Sequence, residues 1–326
     1  MREKRVIGID IGGTNLRGAL VSGSGNIIKR LSVPSGADLG IDAVIENLGK
    51  LIDEIRRGQT IDGVGIGIPG IIDLARGLIT QAPNIMHVHN YPFRDVLMEK
   101  IEMNIPVFVE NDANCAALGE LWKGVGEKVD SLVLLAIGTG LGGGIILNRK
   151  LWRGADGMAG EVGHMTISPD GAKCNCGNTG CLETFASAVG IRRMVKEGLD
   201  DKTVKTSLRE EVQNVHKEKL PEIVREAAIE GDKLAILIWE EFGRALGIAV
   251  AGLVNLLNVE MVVISGGLSD AWELFIDKAV DEAKKRGLRA PMERVYIKKS
   301  TLGGDGGLLG AAYLVIREGK QNPIQL

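Results

Sequence analysis

Apolar residues run from Val6 to Ile9, break at Asp10 and Gly12-Gly13-Thr14, and resume at Gly18-Ala19-Leu20-Val21. Two short apolar runs joined by a glycine turn predict a β-hairpin with a glycine tip. The same grammar returns at Leu132 to Ile137, Gly138-Thr139-Gly140 and Gly143 to Leu147, so a duplicated domain is expected. Between the hairpins, Ala37 to Arg57 has helical apolar spacing. Gly63 to Ile68 reads as a buried strand stopped by Pro69-Gly70, and Val107 to Val109 as a short strand. Beyond Glu183 the pattern turns helical through Ala186 to Glu197, Leu220 to Glu230 and Lys233 to Leu257. A strand from Glu260 to Ile264 then ends in Ser265-Gly266-Gly267. The last apolar segment, Leu308 to Ile316, follows Gly303-Gly304-Asp305-Gly306-Gly307 and is expected to pack as a helix on the first domain.

A chain of 326 residues exceeds the size at which one hydrophobic core usually stops growing, so the α/β pattern is expected to divide into two domains with a cleft between them. Hydrophobic residues at 45% and charged residues at 25% are ordinary globular values. The 45 glycines are not, and many stand beside apolar strands where backbone turns tightly or meets a ligand. With a formal net charge of -3 and no long Lys/Arg block, nucleic acid is not an expected partner. The basic start Met1 to Arg5 imitates a signal peptide only until Asp10 and Gly12-Gly13 interrupt the apolar run. Ala245 to Leu257 is too short and too rich in Ala and Gly to span a bilayer. A cytoplasmic protein without membrane segments is expected.

Asp10-Ile11-Gly12-Gly13-Thr14-Asn15 sets a carboxylate, two residues without side chains and a hydroxyl at a strand end, a combination suited to phosphate oxygens and a magnesium ion. Taken alone, a tight hairpin with a solvated Asp is an equal reading. Gly138-Thr139-Gly140-Leu141-Gly142-Gly143-Gly144 contains a formal G-x-G-x-x-G, but a dinucleotide fingerprint opens a helix, whereas Ile145-Ile146-Leu147 is β-rich and stopped by Asn148. Two such hairpins could grip a polyphosphate from both sides, with Ser265-Gly266-Gly267 as a third close-approach turn. The arrangement resembles the actin-like ATPase fold.

Three of the four cysteines lie in Cys174-Asn175-Cys176-Gly177-Asn178-Thr179-Gly180-Cys181, and His164 precedes them. Three thiolates and one imidazole make a closed, structural zinc set. Buried unligated thiols are the competing reading, disfavoured by the polar, glycine-rich surroundings. Cys115 reads as a small core residue. Glu161 and Glu183 bracket the cluster and could bind sugar hydroxyls; ordinary surface glutamates are the alternative. Should one ring nitrogen of His164 take zinc, the other becomes a fixed hydrogen-bonding group. Glu110-Asn111-Asp112-Ala113-Asn114 follows a strand and starts a helix, which puts Asp112 near an N-cap position, where a capping role suffices to explain it.

Asp10-Ile11-Gly12-Gly13-Thr14, Glu110-Asn111-Asp112-Ala113-Asn114, the glycine run from Gly138 to Gly144, Gly160-Glu161-Val162-Gly163-His164 and the cysteine cluster together resemble the ROK family of repressors and sugar kinases, from Val6 to the final helix. The resemblance implies two actin-like (ribonuclease H-like) domains, spanning 1–114 and 115–307, with the zinc loop in the second and the helix of about 308–326 returning to the first. It implies ATP and Mg2+ at Asp10, Gly12, Gly13, Thr14, Asn15, Gly138, Thr139, Gly140, Gly266 and Gly267, and structural Zn2+ at His164, Cys174, Cys176 and Cys181. It places Gly70, Asn84, Asn111, Asp112, Glu161, His164 and Glu183 around a sugar and makes Asp112 the catalytic base. Leu182-Glu183-Thr184 and Ala186-Ser187-Ala188 resemble the glucokinase branch more than the N-acetylglucosamine branch, so glucose is the leading substrate. Fructose, mannose, N-acetylmannosamine and N-acetylglucosamine remain open, as does polyphosphate as donor. A homodimer is the family expectation. A sugar-responsive repressor is disfavoured because a hairpin beginning at Val6 leaves no room for a helix-turn-helix. A zinc oxidoreductase lacks an open metal position and a Rossmann turn.

Overall fold

The structure, a computed structural model, describes residues 2–82, 85, 88–213 and 215–318. In chain order its elements are β1 (Arg5–Ile11), β2 (Asn15–Ser22), β3 (Ile27–Pro34), α1 (Ile41–Arg56), β4 (Val64–Ile68), β5 (Ile71–Asp73), β6 (Leu78–Gln81) and β7 (His89–Tyr91). These are followed by α2 (Phe93–Ile101), β8 (Val107–Asn111), α3 (Asp112–Lys123), β9 (Leu132–Ile137), β10 (Leu141–Leu147) and β11 (Lys150–Leu151). A helical stretch comprises α4 (Ala188–Asp200), α5 (Leu208–Glu211), α6 (Leu220–Ile229) and α7 (Lys233–Leu257). The chain closes with β12 (Met261–Ser265), α8 (Trp272–Arg286), α9 (Arg289–Arg294), β13 (Tyr296–Lys299) and α10 (Gly306–Glu318).

The chain divides into two compact units, one of Met1–Leu134, Gly144–Gly160 and Ser300–Leu326, the other of Leu135–Gly143 and Glu161–Lys299. In the first, a five-stranded sheet has the order β3-β2-β1-β4-β8. Its first three strands pair antiparallel, while β4 and β8 run parallel to β1. The second sheet repeats the ordering as β11-β10-β9-β12-β13. A hairpin opens each sheet, which is the duplication expected from the two glycine turns. The small antiparallel sheet β5-β6-β7 was not anticipated: strands of three and four residues are too short for a legible alternation.

Strand β4 is buried at all five positions, as a parallel strand covered on both faces should be. On one face Val64, Ile66 and Ile68 join the core cluster that contains the apolar stripe of α1, Val44, Leu48, Leu51, Ile52 and Ile55. The other meets α10 at backbone distance. A Cβ on Gly65 would lie 1.8 Å from the Ala311 carbonyl oxygen, and one on Gly310 would lie 1.6 Å from that of Cys115. Close helix–sheet and helix–helix approach, the latter between α10 and α3, therefore accounts for part of the glycine excess. Cys115 itself is fully buried, with its thiol pushed well up by burial first and by nearby carboxylates second, as suits a core residue.

In the second unit α7 packs along α8 through Trp239, Phe242 and Phe275, all essentially buried. Asp232 caps α7, accepting from the Ala235 amide at 3.0 Å, and also holds the Ser207 amide at 2.7 Å and the Thr206 hydroxyl at 3.0 Å. Burial opposes its charge, but these donors outweigh burial and hold the carboxyl below the usual aspartate range. Because the folded value is depressed, the stabilisation is present above the unfolded value near ~4 and is lost as pH falls through the folded value. Asp232→Ala is expected to cost about 1–2 kcal/mol at pH 7, a gap that narrows on acidification below about pH 4. Urea unfolding at pH 7 and at the lowest pH giving a cooperative transition checks both; equal stability of the two proteins at pH 7 would refute the cap. Among the described residues, no helix is long and apolar enough to cross a membrane.

Candidate active site and metal centre

The β1–β2 turn is closed by the Gly12 amide on the Asn15 carbonyl at 2.9 Å and buttressed by the Ser35 hydroxyl on the Gly13 carbonyl at 2.8 Å. Gly13, Thr14 and Asn15 are exposed at its tip. Asp10, the last residue but one of β1, has its side chain 14% exposed and ion-paired to Arg17, a residue to which the sequence reading assigned no part.

Strand β8 runs two residues past Val109, so Glu110 and Asn111 belong to the sheet and α3 begins at Asp112. The N-cap is Asn111, not Asp112: its Oδ1 accepts from the amides of Ala113 at 3.0 Å and Asn114 at 3.2 Å. Extended dihedrals at Asn111 (φ -61°, ψ 144°) mark the cap. Asp112 is the first helical residue, partly exposed, with Oδ1 accepting from the Ala113 amide at 2.9 Å. Behind it Glu110 is 2% exposed, and its carboxylate gathers the Asn111 amide at 3.0 Å, Asn114 Nδ2 at 3.0 Å and Arg153 Nε at 2.7 Å. A buried carboxylate persists when charge-assisted bonds satisfy it, and here it clamps the strand–helix junction. Asn111 Nδ2 reaches the Gly70 carbonyl at 3.3 Å, which brings two of the expected sugar residues together. Gly70 has φ +122° and a Cβ there would lie 2.1 Å from the Gln81 carbonyl oxygen, so only glycine fits. Asn84 lies outside the described residues.

In the second unit the β9–β10 turn holds Gly138, Thr139 and Gly140, closed by the Gly138 amide on the Gly140 carbonyl at 2.9 Å. Strand β10 begins at Leu141, two residues before the expected Gly143, and is not a helix, so the dinucleotide reading of G-x-G-x-x-G has no structural counterpart. The Ala188 amide at the start of α4 donates to the Gly138 carbonyl at 2.9 Å. Gly266, at φ +90°, follows β12, and a Cβ on it would lie 2.3 Å from the Ile137 carbonyl oxygen. By contrast, a Cβ on Gly138 or Gly267 would meet nothing within 4 Å. Packing requires no glycine at these two positions, whereas approach of a phosphate or nucleoside to bare backbone would.

Glu183 shows a link that local reading missed. Its Oε2 accepts the Leu141 amide at 2.9 Å, and a Cβ on Gly140 would stand 2.4 Å from that oxygen. One carboxylate thus spans the glycine turn and the cysteine loop, through a contact between residues 42 positions apart.

The cluster expected from spacing is assembled. The ligand atoms of His164, Cys174, Cys176 and Cys181 all lie within 4.8 Å of one another. Cys174 Sγ is 3.7 Å from His164 Nδ1, and Cys176 Sγ is 3.7 Å from Cys181 Sγ. A tetrahedron with zinc–ligand bonds of 2.0–2.3 Å has edges of about 3.5–3.8 Å, so the donor set fits zinc. Burial pushes the Cys181 thiol up to about 12, while hydrogen bonding led by the Asn178 amide lowers Cys176. Nε2 of His164 faces the other way, 3.9 Å from Glu161 Oε2. Cys174 and Cys181 are buried and Cys176 is exposed. The Leu182 amide on the Met165 carbonyl at 2.9 Å ties the Glu183 segment to the strand leaving His164.

The protein is thus an α/β protein with two sheets of matching strand order, two glycine-tipped hairpins and a Cys3His cluster whose donor set suits a metal. The ROK family description matches residues 6–318, and the chain belongs to that family. It is 37% identical over 322 residues to the glucokinase of Halalkalibacterium halodurans, covering 97% of this chain and 96% of that protein. It is 36% identical to the xylose repressor of Caldicellulosiruptor bescii, covering 96% of this chain and 78% of the repressor. A crystal structure of a ROK family glucokinase from Streptomyces griseus in complex with glucose and AMPPNP superposes with a TM-score of 0.79 at 32% identity, covering 95% of this chain and 98% of that one.

Proposed function

We propose that this protein is an ATP-dependent hexose kinase that phosphorylates the 6-hydroxyl of glucose. The observation that carries the reading is Asp112 at the first turn of α3, at a strand–helix junction held by buried Glu110, in a chain that matches a glucokinase along nearly the whole of both lengths. In this reading the chain is cytoplasmic and folds as two actin-like domains, 1–114 with the last helix and 115–307, and two copies of it form a homodimer.

Gly70, Asn84, Asn111, Glu161, His164 and Glu183 orient the sugar hydroxyls. Asp112 accepts the proton of the primary hydroxyl as its oxygen attacks the terminal phosphorus. Asp10, Gly12, Gly13, Thr14 and Asn15 hold phosphate oxygens from one hairpin, and Gly138, Thr139 and Gly140 from the other. Gly266 and Gly267 make room for the nucleoside. Magnesium and the nucleotide, when bound, supply charge neutralisation and the phosphoryl group. Zinc held by His164, Cys174, Cys176 and Cys181 is structural: all four positions are protein ligands, so none is open for catalysis. Its part is to fix the imidazole so that Nε2 points away from the cysteines.

A coupled assay of ADP release with ATP and Mg2+, run against glucose, mannose, fructose, N-acetylglucosamine and N-acetylmannosamine, tests the proposal. Turnover with glucose preferred is the expected result. Preference for another sugar keeps the mechanism and moves the substrate. Silence on all five, repeated with polyphosphate as donor, overturns the kinase reading. It would favour a regulatory sugar-binding role, which the similarity to the xylose repressor motivates.

A further inference from the structure

The antiparallel register of β1 and β2 sets Arg17 directly opposite Asp10. Residues opposite one another in a ladder project from the same face, and here Arg17 Nη2 ion-pairs with Asp10 Oδ2. This is a single contact, and Oδ1 has no donor among the described residues. The loop of 303–307, whose glycines have no part in the chemistry above, lies against the pair. A Cβ on Gly304 would lie 2.5 Å from Arg17 Nη1, and one on Gly307 would lie 3.4 Å from Asp10 Cγ. Arg30 Nη2 holds Asp305 Oδ2 at 2.6 Å, fastening that loop to β3.

A terminal carboxylate rotates over a broad torsional well unless something holds one oxygen. We infer that Arg17 is a positioning residue for the nucleotide: by holding Oδ2 it turns Oδ1 of Asp10 toward magnesium and the phosphates. This rests on the reading of the first hairpin as a phosphate turn. A magnesium–nucleotide complex, still net anionic, is not repelled by the guanidinium. Arg17 is 45% exposed, so its replacement does not threaten the core.

The test is calorimetric titration of the metal-loaded full chain with magnesium–ATP in the absence of sugar, paired with a separate glucose titration. Arg17→Met is expected to weaken nucleotide binding about tenfold, the loss of one charge-assisted bond, and to leave glucose binding unchanged. Arg17→Lys, which restores charge without the fork, should recover part of the loss. Gly304→Ala, which drives a methyl against Nη1, should weaken binding in the same direction while Arg17 remains present. Because Arg17 acts through Asp10, the double variant Arg17→Met/Asp10→Asn should bind no more weakly than Asp10→Asn alone. Additive losses in that cycle, or wild-type binding by Arg17→Met beside a weakened Asp10→Asn, would overturn the inference. Wild-type binding by Asp10→Asn would instead remove the phosphate reading on which it rests.

Discussion

Asp112→Asn is expected to lower kcat by about 10³-fold while glucose binds with a dissociation constant within a few-fold of wild type. Asn has the same shape, and its Oδ1 can still accept from the Ala113 amide, the bond that Asp112 makes now. The helix end does not depend on residue 112 for its cap, because Asn111 supplies that function with two amide bonds. Stability should therefore fall by at most about 1 kcal/mol, and the capacity to take a proton is lost. The structure gives Asn111 the cap that motif logic alone would assign to Asp112. A capping role predicts a stability loss with activity retained, and a base predicts the reverse. Single-turnover kinetics beside glucose calorimetry distinguishes them, and turnover within tenfold of wild type would remove Asp112 from the role of base.

The second large effect concerns the metal. Cys176 is the exposed member of its cluster, so Cys176→Ser leaves no cavity. As an isolated surface thiol it would cost no more than about 0.5 kcal/mol to replace. As one of four ligands it is a different matter, since structural zinc contributes about 10–16 kcal/mol in small domains and the loop around it has little apolar core of its own. Cys176→Ser is expected to lose bound zinc and to lower Tm by about 10 °C. Glucose affinity should fall with it, because His164 and Glu183 lose their anchor. Elemental analysis and calorimetry on the same preparations read metal and stability together. A wild-type preparation free of zinc, yet fully stable and active, would defeat the structural-metal argument.

What could be read from residues alone was local. The two hairpins are legible because a β-strand announces itself by a short apolar run and its turn by glycine, all within about fifteen residues. The helix α7 was delimited as Lys233 to Leu257, its observed span, because 25 residues give an apolar pattern room to show; the structure caps it with Asp232 at the start and Asn258 at the end. The zinc set was legible for the same reason: three of its four ligands fall within eight residues, and thiolate chemistry restricts what such spacing can mean.

Contacts between distant positions, and backbone states that several residue types tolerate equally, were left to the tertiary structure. Asn111 and Asp112 are both good N-caps in isolation, and the choice fell to the sheet, which extended β8 through Asn111 and left Asp112 to open the helix. The Glu110–Arg153 and Glu183–Leu141 contacts join residues 43 and 42 positions apart, beyond any periodic signal. Arg17 lies only seven residues from Asp10, yet their pairing depends on the register of β1 and β2, with Gly304 leaving room beside the guanidinium. The sequence by itself determined the chemical types at the site and the local elements that carry them, because turn, strand and metal-ligand preferences act over a few residues. The tertiary structure alone decided which carboxylate caps, which is held from behind and which meets a glycine turn, because those roles are set by long-range packing.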